Sequence, residues 1–254
     1  MTLVDNSTLL ILGPNAWILL AIMLILAAAL WRLALGRSPW DMLIAGLRAL
    51  LQLAAVVLVI AWLSDRGPWA FCFVALMFAV AVWTSGRRVA PDGRWWIAAI
   101  PIAAGVIPVA AMMFALGVVP FSALAIIAVV GQQIGGAMSA VTLSGRRIRD
   151  EITLRHNEVE AAVALGFQWP AARLMVARPV AGEAILPTLD QTRTAGLVTL
   201  PGAFVGMILG GAAPIDAGLI QLLVLISLLL VNACAAAVAL WLGCRGAWRY
   251  PRRS

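Results

Sequence analysis

Lysine is absent from this chain of 254 residues, and all 18 basic side chains are arginine. Charge of either sign is scarce at 11%, where soluble domains carry about a quarter. His156 is the single histidine. The chain has no HExxH sequence, no paired inward carboxylates and no serine with a nearby histidine, which argues against a metalloprotease or serine-hydrolase centre. The three cysteines, Cys72, Cys234 and Cys244, lie within or at the end of apolar segments without a CxxC pair, so packing is their expected role. A GxxxxGK[ST] loop is also missing, so the chain does not bind and split ATP in the P-loop manner. It is therefore not expected to be an enzyme, and no cofactor is expected in it.

What the chain has instead is apolar sequence, with a hydrophobic fraction of 63% and a mean hydropathy of +1.01. A bilayer core about 30 Å thick needs about 20 such residues per helix. About seven segments meet that test, at roughly 16–31, 43–63, 69–85, 95–116, 121–143, 194–211 and 217–242. Turns are expected at Ser64–Pro68 and Gly117–Pro120. The expectation is an all-α polytopic membrane protein with a single permease domain over 1–254.

The arginines sort by loop. Nearly all of them follow the first, third, fifth and seventh spans, and the net charge of +7 reads as a topology signal rather than nucleic-acid affinity. By the positive-inside rule the amino terminus lies outside and the carboxyl terminus, with Arg245, Arg249, Arg252 and Arg253, lies in the cytoplasm. The first apolar run has no basic residue before it and reads as a retained span rather than a cleaved signal. The same sorting puts the one long excursion, about 144–185, in the cytoplasm. Within it helix formers run from Glu158 to Leu165, Gly166 can stop that helix, and Pro170 suits the first turn of another.

Intramembrane charge marks proton relays and ion-coupled carriers, and the inner stretches of spans one, three, four, five and seven have none. The remaining polar groups gather in three places. Gln132 and Gln133 sit beside Gly135 and Gly136, with Ser139 and Thr142 at helical spacing; Asn232 lies in the last span; Asp190 to Thr194 lead into the sixth. Either interhelical hydrogen bonding or a pore-lining role suits the glutamines. Asp190 and Arg193, three apart, can pair on a helix. Pro201 and Gly202 would break the sixth span in mid-membrane, which is tolerated where protein or a wet cavity satisfies the freed carbonyls.

The spacing Glu160-Ala161-Ala162, Gly166, Val176 and Pro179 is similar to the cytoplasmic loop by which an ABC transporter's membrane subunit docks on its ATPase, with Val176 in place of Ile and Arg178 in place of Leu. More widely, EAAVALG, ILPTLDQTRTAGLVTLPG and GMILGGAAP resemble the Fet-type (YbbM family) iron-export ABC permeases, relatives of plant aluminium-tolerance permeases. The resemblance extends more weakly through 131–144 and 48–53. It implies a bacterial plasma- or inner-membrane permease that exports iron or a related metal. A separate P-loop ATPase holding ATP and Mg would dock on Glu160–Pro179, and two copies of the permease would assemble. On this reading Glu160, Ala161, Ala162, Gly166 and Pro179 carry coupling, Pro201 and Gly202 form a hinge, and Gln132, Gln133, Asp190 and Asn232 are pathway candidates, with no metal ligands specified. Asp190, Phe204 and the Gly135-Gly136 pair depart from the family pattern, which bears on the substrate and leaves the docking inference intact. The competing readings are an ATP-independent channel or carrier, or an ABC permease for a non-metal solute.

Overall fold

A computed structural model describes residues 13–63, 69–90 and 93–248. The expected turn at Ser64–Pro68 and the arginines Arg249, Arg252 and Arg253 lie outside the described residues. Among the described residues ten α-helices follow one another: α1 Pro14–Leu33, α2 Trp40–Leu63, α3 Trp69–Val89, α4 Ala99–Ala115, α5 Ala123–Leu154, α6 His156–Ala164, α7 Trp169–Ala181, α8 Leu186–Thr194, α9 Gly202–Leu209 and α10 Pro214–Cys244. Single 3₁₀ turns, Trp95–Ala98 and Gly182–Ile185, lead into α4 and α8. Hydrocarbon offers no partner for backbone N–H and C=O groups, so a helix that satisfies its own is the structure these runs adopt.

Among the described residues six helical segments are long and apolar enough to cross a membrane: α1, 40–60 of α2, α3, 95–115, α5 and α10. The sixth expected span, 194–211, is not among them, and this corrects the count of seven. In its place α8 ends at Thr194, α9 begins only at Gly202, and the chain between is irregular, with an isolated bridge from Ala195 to Thr199. Gly196, at φ +85°, has a left-handed backbone that favours glycine, and Pro201 has no N–H to continue a helix. The expected break is therefore real and longer than one residue pair.

Contacts divide the chain into two compact units. In the first, α1 packs on α2, where Leu24 reaches the space over Gly46. Ala28 is the one buried residue among those described on α1, while Trp17, Ile25 and Leu30 are exposed. Apolar surface of this extent suits contact with lipid.

The second unit holds α3 to α8, most of α9, and α10. Its main core joins α3, α4, α5 and α10 through Val82, Ile102, Ile134, Val141 and Val231. Small residues set the spacing. A Cβ on Gly105 of α4 would lie 2.6 Å from the Val231 carbonyl oxygen of α10, and one on Gly86 would lie 2.0 Å from that of Trp95. Ser122 caps α5, accepting from the Ala125 N–H at 3.2 Å, and Pro214 opens α10 with Asp216 in its first turn. At 32 residues α5 is about 48 Å long, well beyond a hydrocarbon core of about 30 Å. The first part of the expected excursion, 144–154, is thus the continuation of a membrane helix.

Gly105→Ala should cost about 1–3 kcal/mol through overpacking against backbone that has no rotamer to change. Gly182→Ala, at φ −68° with nothing within 4 Å of the new methyl, should leave thermal stability in detergent unchanged or slightly raised. Equal melting temperatures for the two variants would contradict the close α4–α10 approach.

Candidate functional site

α5 has two unlike faces. Val130, Ile134, Ala137 and Val141 are buried in the main core, whereas Gln132, Gly135, Ser139 and Leu143 open on a cleft of about 310 Å³. Pro187, Thr188 and Gln191 of α8 and Leu228 and Asn232 of α10 complete its walls. Helical spacing brings the α5 residues to one side, but only the tertiary fold sets α8 against them.

Asn232 is the most deeply buried polar group of this cleft, at 4% exposure. Its Nδ2 donates to Thr188 Oγ1 at 2.7 Å, tying α10 to α8, and its Oδ1 is buried with no hydrogen-bond partner among the described residues. A Cβ on Gly136 would come within 2.9 Å of that oxygen, so Gly136 makes room for the amide, whereas one on Gly135 would meet nothing within 4 Å. Gln132 shares the cleft with Asn232. Gln133 does not: it is 1% exposed and points into the α4–α5 contact, where its Nε2 donates to Met113 Sδ at 3.1 Å. Asp190 is exposed and pairs with Arg193 at 3.6 Å, outside the cleft wall.

Pro201 lies at a second cavity of about 200 Å³, formed between the irregular segment and α10. Ala195, Gly196 and Phe204 line it with Gln221, whose Oε1 is buried and without a partner among the described residues. Gly202 is the first residue of α9. Among the described residues no group of three His, Cys, Asp or Glu side chains is placed to hold a metal ion.

The expected docking segment is a helical hairpin. α6 ends on Gly166, whose φ of +98° is a left-handed value natural to glycine. The Gly166 N–H donates to Val163 O at 2.9 Å and the Phe167 N–H to Ala162 O at 3.1 Å, the paired bonds that close a helix carboxyl end. Pro170 stands in the first turn of α7, as its spacing implied. α6 starts two residues before Glu158. There Arg155 Nε donates to Glu158 Oε1 at 2.7 Å, a bond that lowers the Glu158 carboxyl below its usual pKa. Glu160 and Ala161 are exposed, with Glu160 Oε1 lying 3.1 Å from His156 Nε2, and Pro179 is exposed within α7.

The hairpin is anchored at its base. Val159, Ala172, Val176 and Ala177 bury against Ile148 and Ile152 of α5 and Cys244 of α10, with Ala162 packed alongside. Arg173 Nη1 donates to the Cys244 carbonyl at 3.3 Å, at the negative end of α10. From Ala181 the chain passes through the 3₁₀ turn into α8, so six residues separate the end of the hairpin from Thr188.

Thr188, Gln221 and Arg173 carry no spacing signal in the sequence. The Asn232–Thr188 bond spans 44 positions and the Arg173 bond 71, distances that no helical period connects.

The long apolar helices make this a multi-pass membrane protein, and its relatives are of permease type. The chain belongs to the UPF0014 family, described as an uncharacterised protein family, whose model matches residues 15–248. It is 32% identical over 206 residues to the UPF0014 membrane protein STAR2 of rice, covering 80% of this chain and 72% of that one. It is 30% identical over 194 residues to the Arabidopsis protein ALUMINUM SENSITIVE 3, covering 75% and 70%. The probable iron export permease protein FetB of Escherichia coli is 27% identical over 237 residues, with 90% of each chain covered. No solved structure matches the chain.

Thr188→Val should destabilise the second unit by about 1–3 kcal/mol, because it strands the buried Asn232 amide. Thr188→Ser should recover most of the loss in detergent melting. A valine variant as stable as the parent would mean that the bond does not hold α8 to α10.

Proposed function

We propose that the chain is the membrane subunit of an ABC transporter and that a separate ATPase, holding ATP and Mg, docks on the α6–α7 hairpin. The observation that carries this reading is the form of the hairpin. Its base is cemented to α5 and α10, while its tip presents Leu165, Phe167 and Trp169, exposed at 81%, 48% and 43%. An apolar knob on a charged segment suits insertion into a partner's groove. Movement imposed there would pass through Arg173 to α10 and through the 3₁₀ turn to α8, the two helices joined at the cleft. In this reading Glu160, Ala161, Ala162, Gly166 and Pro179 couple the subunits and Pro201 with Gly202 allows α9 to bend. Gln132 and Asn232 face the pathway, Gln133 supports it from behind, and Asp190 stands near its entrance. Two copies of the chain, each a single permease domain, would form the working unit in a bacterial inner membrane.

Similarity to the E. coli relative supports iron or a related metal as cargo and export as the direction. Cells lacking the protein should accumulate iron and tolerate excess iron or peroxide poorly, and Asp190→Ala should reproduce the defect while the protein still reaches the membrane. Altered levels of another solute with unchanged iron would remove the metal assignment alone.

On the positive-inside reading of the arginine pattern, the hairpin and the carboxyl terminus would lie in the cytoplasm and the amino terminus outside. With Cys72, Cys234 and Cys244 replaced by alanine, a cysteine at Gln168 should resist an impermeant thiol reagent in intact cells and one at Val118 should react. The reverse order would strand the hairpin on the wrong side of the membrane.

Gly166→Trp forces a bulky L side chain into a left-handed backbone, and Glu160→Arg reverses an exposed charge. Both variants should insert and fold yet lose most of the stimulation of the ATPase or recovery of the complex. Unchanged complex and unchanged transport in both would show that the hairpin is not the coupling element.

A further inference from the structure

Beyond the cleft at Asn232, the exposed face of α5 borders another cavity, of about 500 Å³, walled by Arg88 from α3 and by Ser139, Thr142, Arg146, Arg147 and Asp150 of α5. The two cavities share Ser139 and Leu143, so they form one groove along a single helix face, amide-lined at one end and arginine-lined at the other. Each has a volume in the range of small-molecule sites.

The sign of the groove follows from its pairings. Asp150 is engaged by Arg149 at 3.4 Å, and Arg147 by Glu183 at 3.4 Å. Arg88 and Arg146 have no carboxylate partner among the described residues. Arginines that only orient a membrane span have no need to converge on one cavity. Guanidinium groups that do converge match carboxylate or phosphate oxygens through paired N–H donors, whereas a bare cation entering here is repelled. At the far end Gln132, Gln191 and Thr188 offer uncharged hydrogen-bonding groups, beside the buried, unpartnered Asn232 oxygen.

We propose that this groove is a binding site for a small oxyanion, and that a metal cargo enters it as an anionic carboxylate complex rather than as a free cation. The second part rests on the transport reading above; the site itself does not.

The test uses the full chain in nanodiscs of phosphatidylcholine, titrated with citrate, iron(III) citrate, glycerol 3-phosphate and iron(II) without chelator. Saturable binding of citrate and its iron complex is expected, weakened about tenfold by Arg146→Gln or Arg88→Gln, as loss of a charge-assisted hydrogen bond implies. Arg146→Lys should keep part of the affinity, and Arg32→Gln, which removes one charge from α1, should change nothing. Arginine-dependent binding of glycerol 3-phosphate alone would keep the oxyanion site and overturn the carboxylate complex. Two results overturn the proposal as a whole. One is saturable binding of iron(II) indifferent to both arginines and to citrate. The other is no soluble anion bound in neutral lipid while phosphatidylglycerol protects Arg146 from a guanidine-directed reagent, which would make a lipid headgroup the occupant. ATP-driven iron flux in vesicles is read separately: its absence with citrate binding intact removes the transport reading and leaves the site standing.

Discussion

In hydrocarbon a backbone amide that is not hydrogen-bonded within the protein costs several kcal/mol, because no water is present to replace the partner. Among the described residues the long elements satisfy that constraint by being helical, and the irregular segment before α9 borders a cavity. Between Thr194 and Gly202 the helix is interrupted, and the interruption borders α10 at Gln221, whose own amide oxygen is buried without a partner among the described residues. Non-helical backbone within a membrane is tolerated only against protein or a wet cavity, and here it packs beside α10 at a cavity lined by Gln221.

Three consequences of helix geometry converge on α5. Its length carries it past the membrane core into the base of the hairpin, and its buried face holds the main core together. Its other face, with glycines and small hydroxyl side chains between Gln132 and Arg146, stays open. A helix so arranged is both a strut and a lining. Gly136 leaves space for Asn232, and Gly135, with nothing against it, lines the open side of the cleft.

The hairpin shows how local and long-range terms divide the work. Gly166, with its left-handed backbone and two closing hydrogen bonds, sets the bend from within a few residues. Nothing so local attaches the hairpin to the membrane helices. That takes the cluster of Val159, Ala172 and Val176 with Ile148 and Cys244, together with the Arg173 bond to a carbonyl at the end of α10.

By itself the sequence determined the membrane class, the six long helices, the hairpin with its stop at Gly166, and the presence of a break before Gly202. Each rests on composition or on a period shorter than ten residues, which hydrophobicity and backbone sterics express directly. It also brought Gln132, Gln133, Asp190 and Asn232 forward as the scarce polar groups of an apolar chain. Only the tertiary structure decided which of them meet. Gln132 and Gln133 are neighbours in sequence, yet about 100° separates them around the helix, so one faces the cleft and the other the core. The sixth expected span, 194–211, is not one continuous helix, because proline and glycine near its middle left too few residues on either side for a membrane crossing. Thr188 and the arginines of the groove became visible only when α8, α3 and α5 were set side by side, since a contact between distant positions is a property of packing and leaves no local period to read.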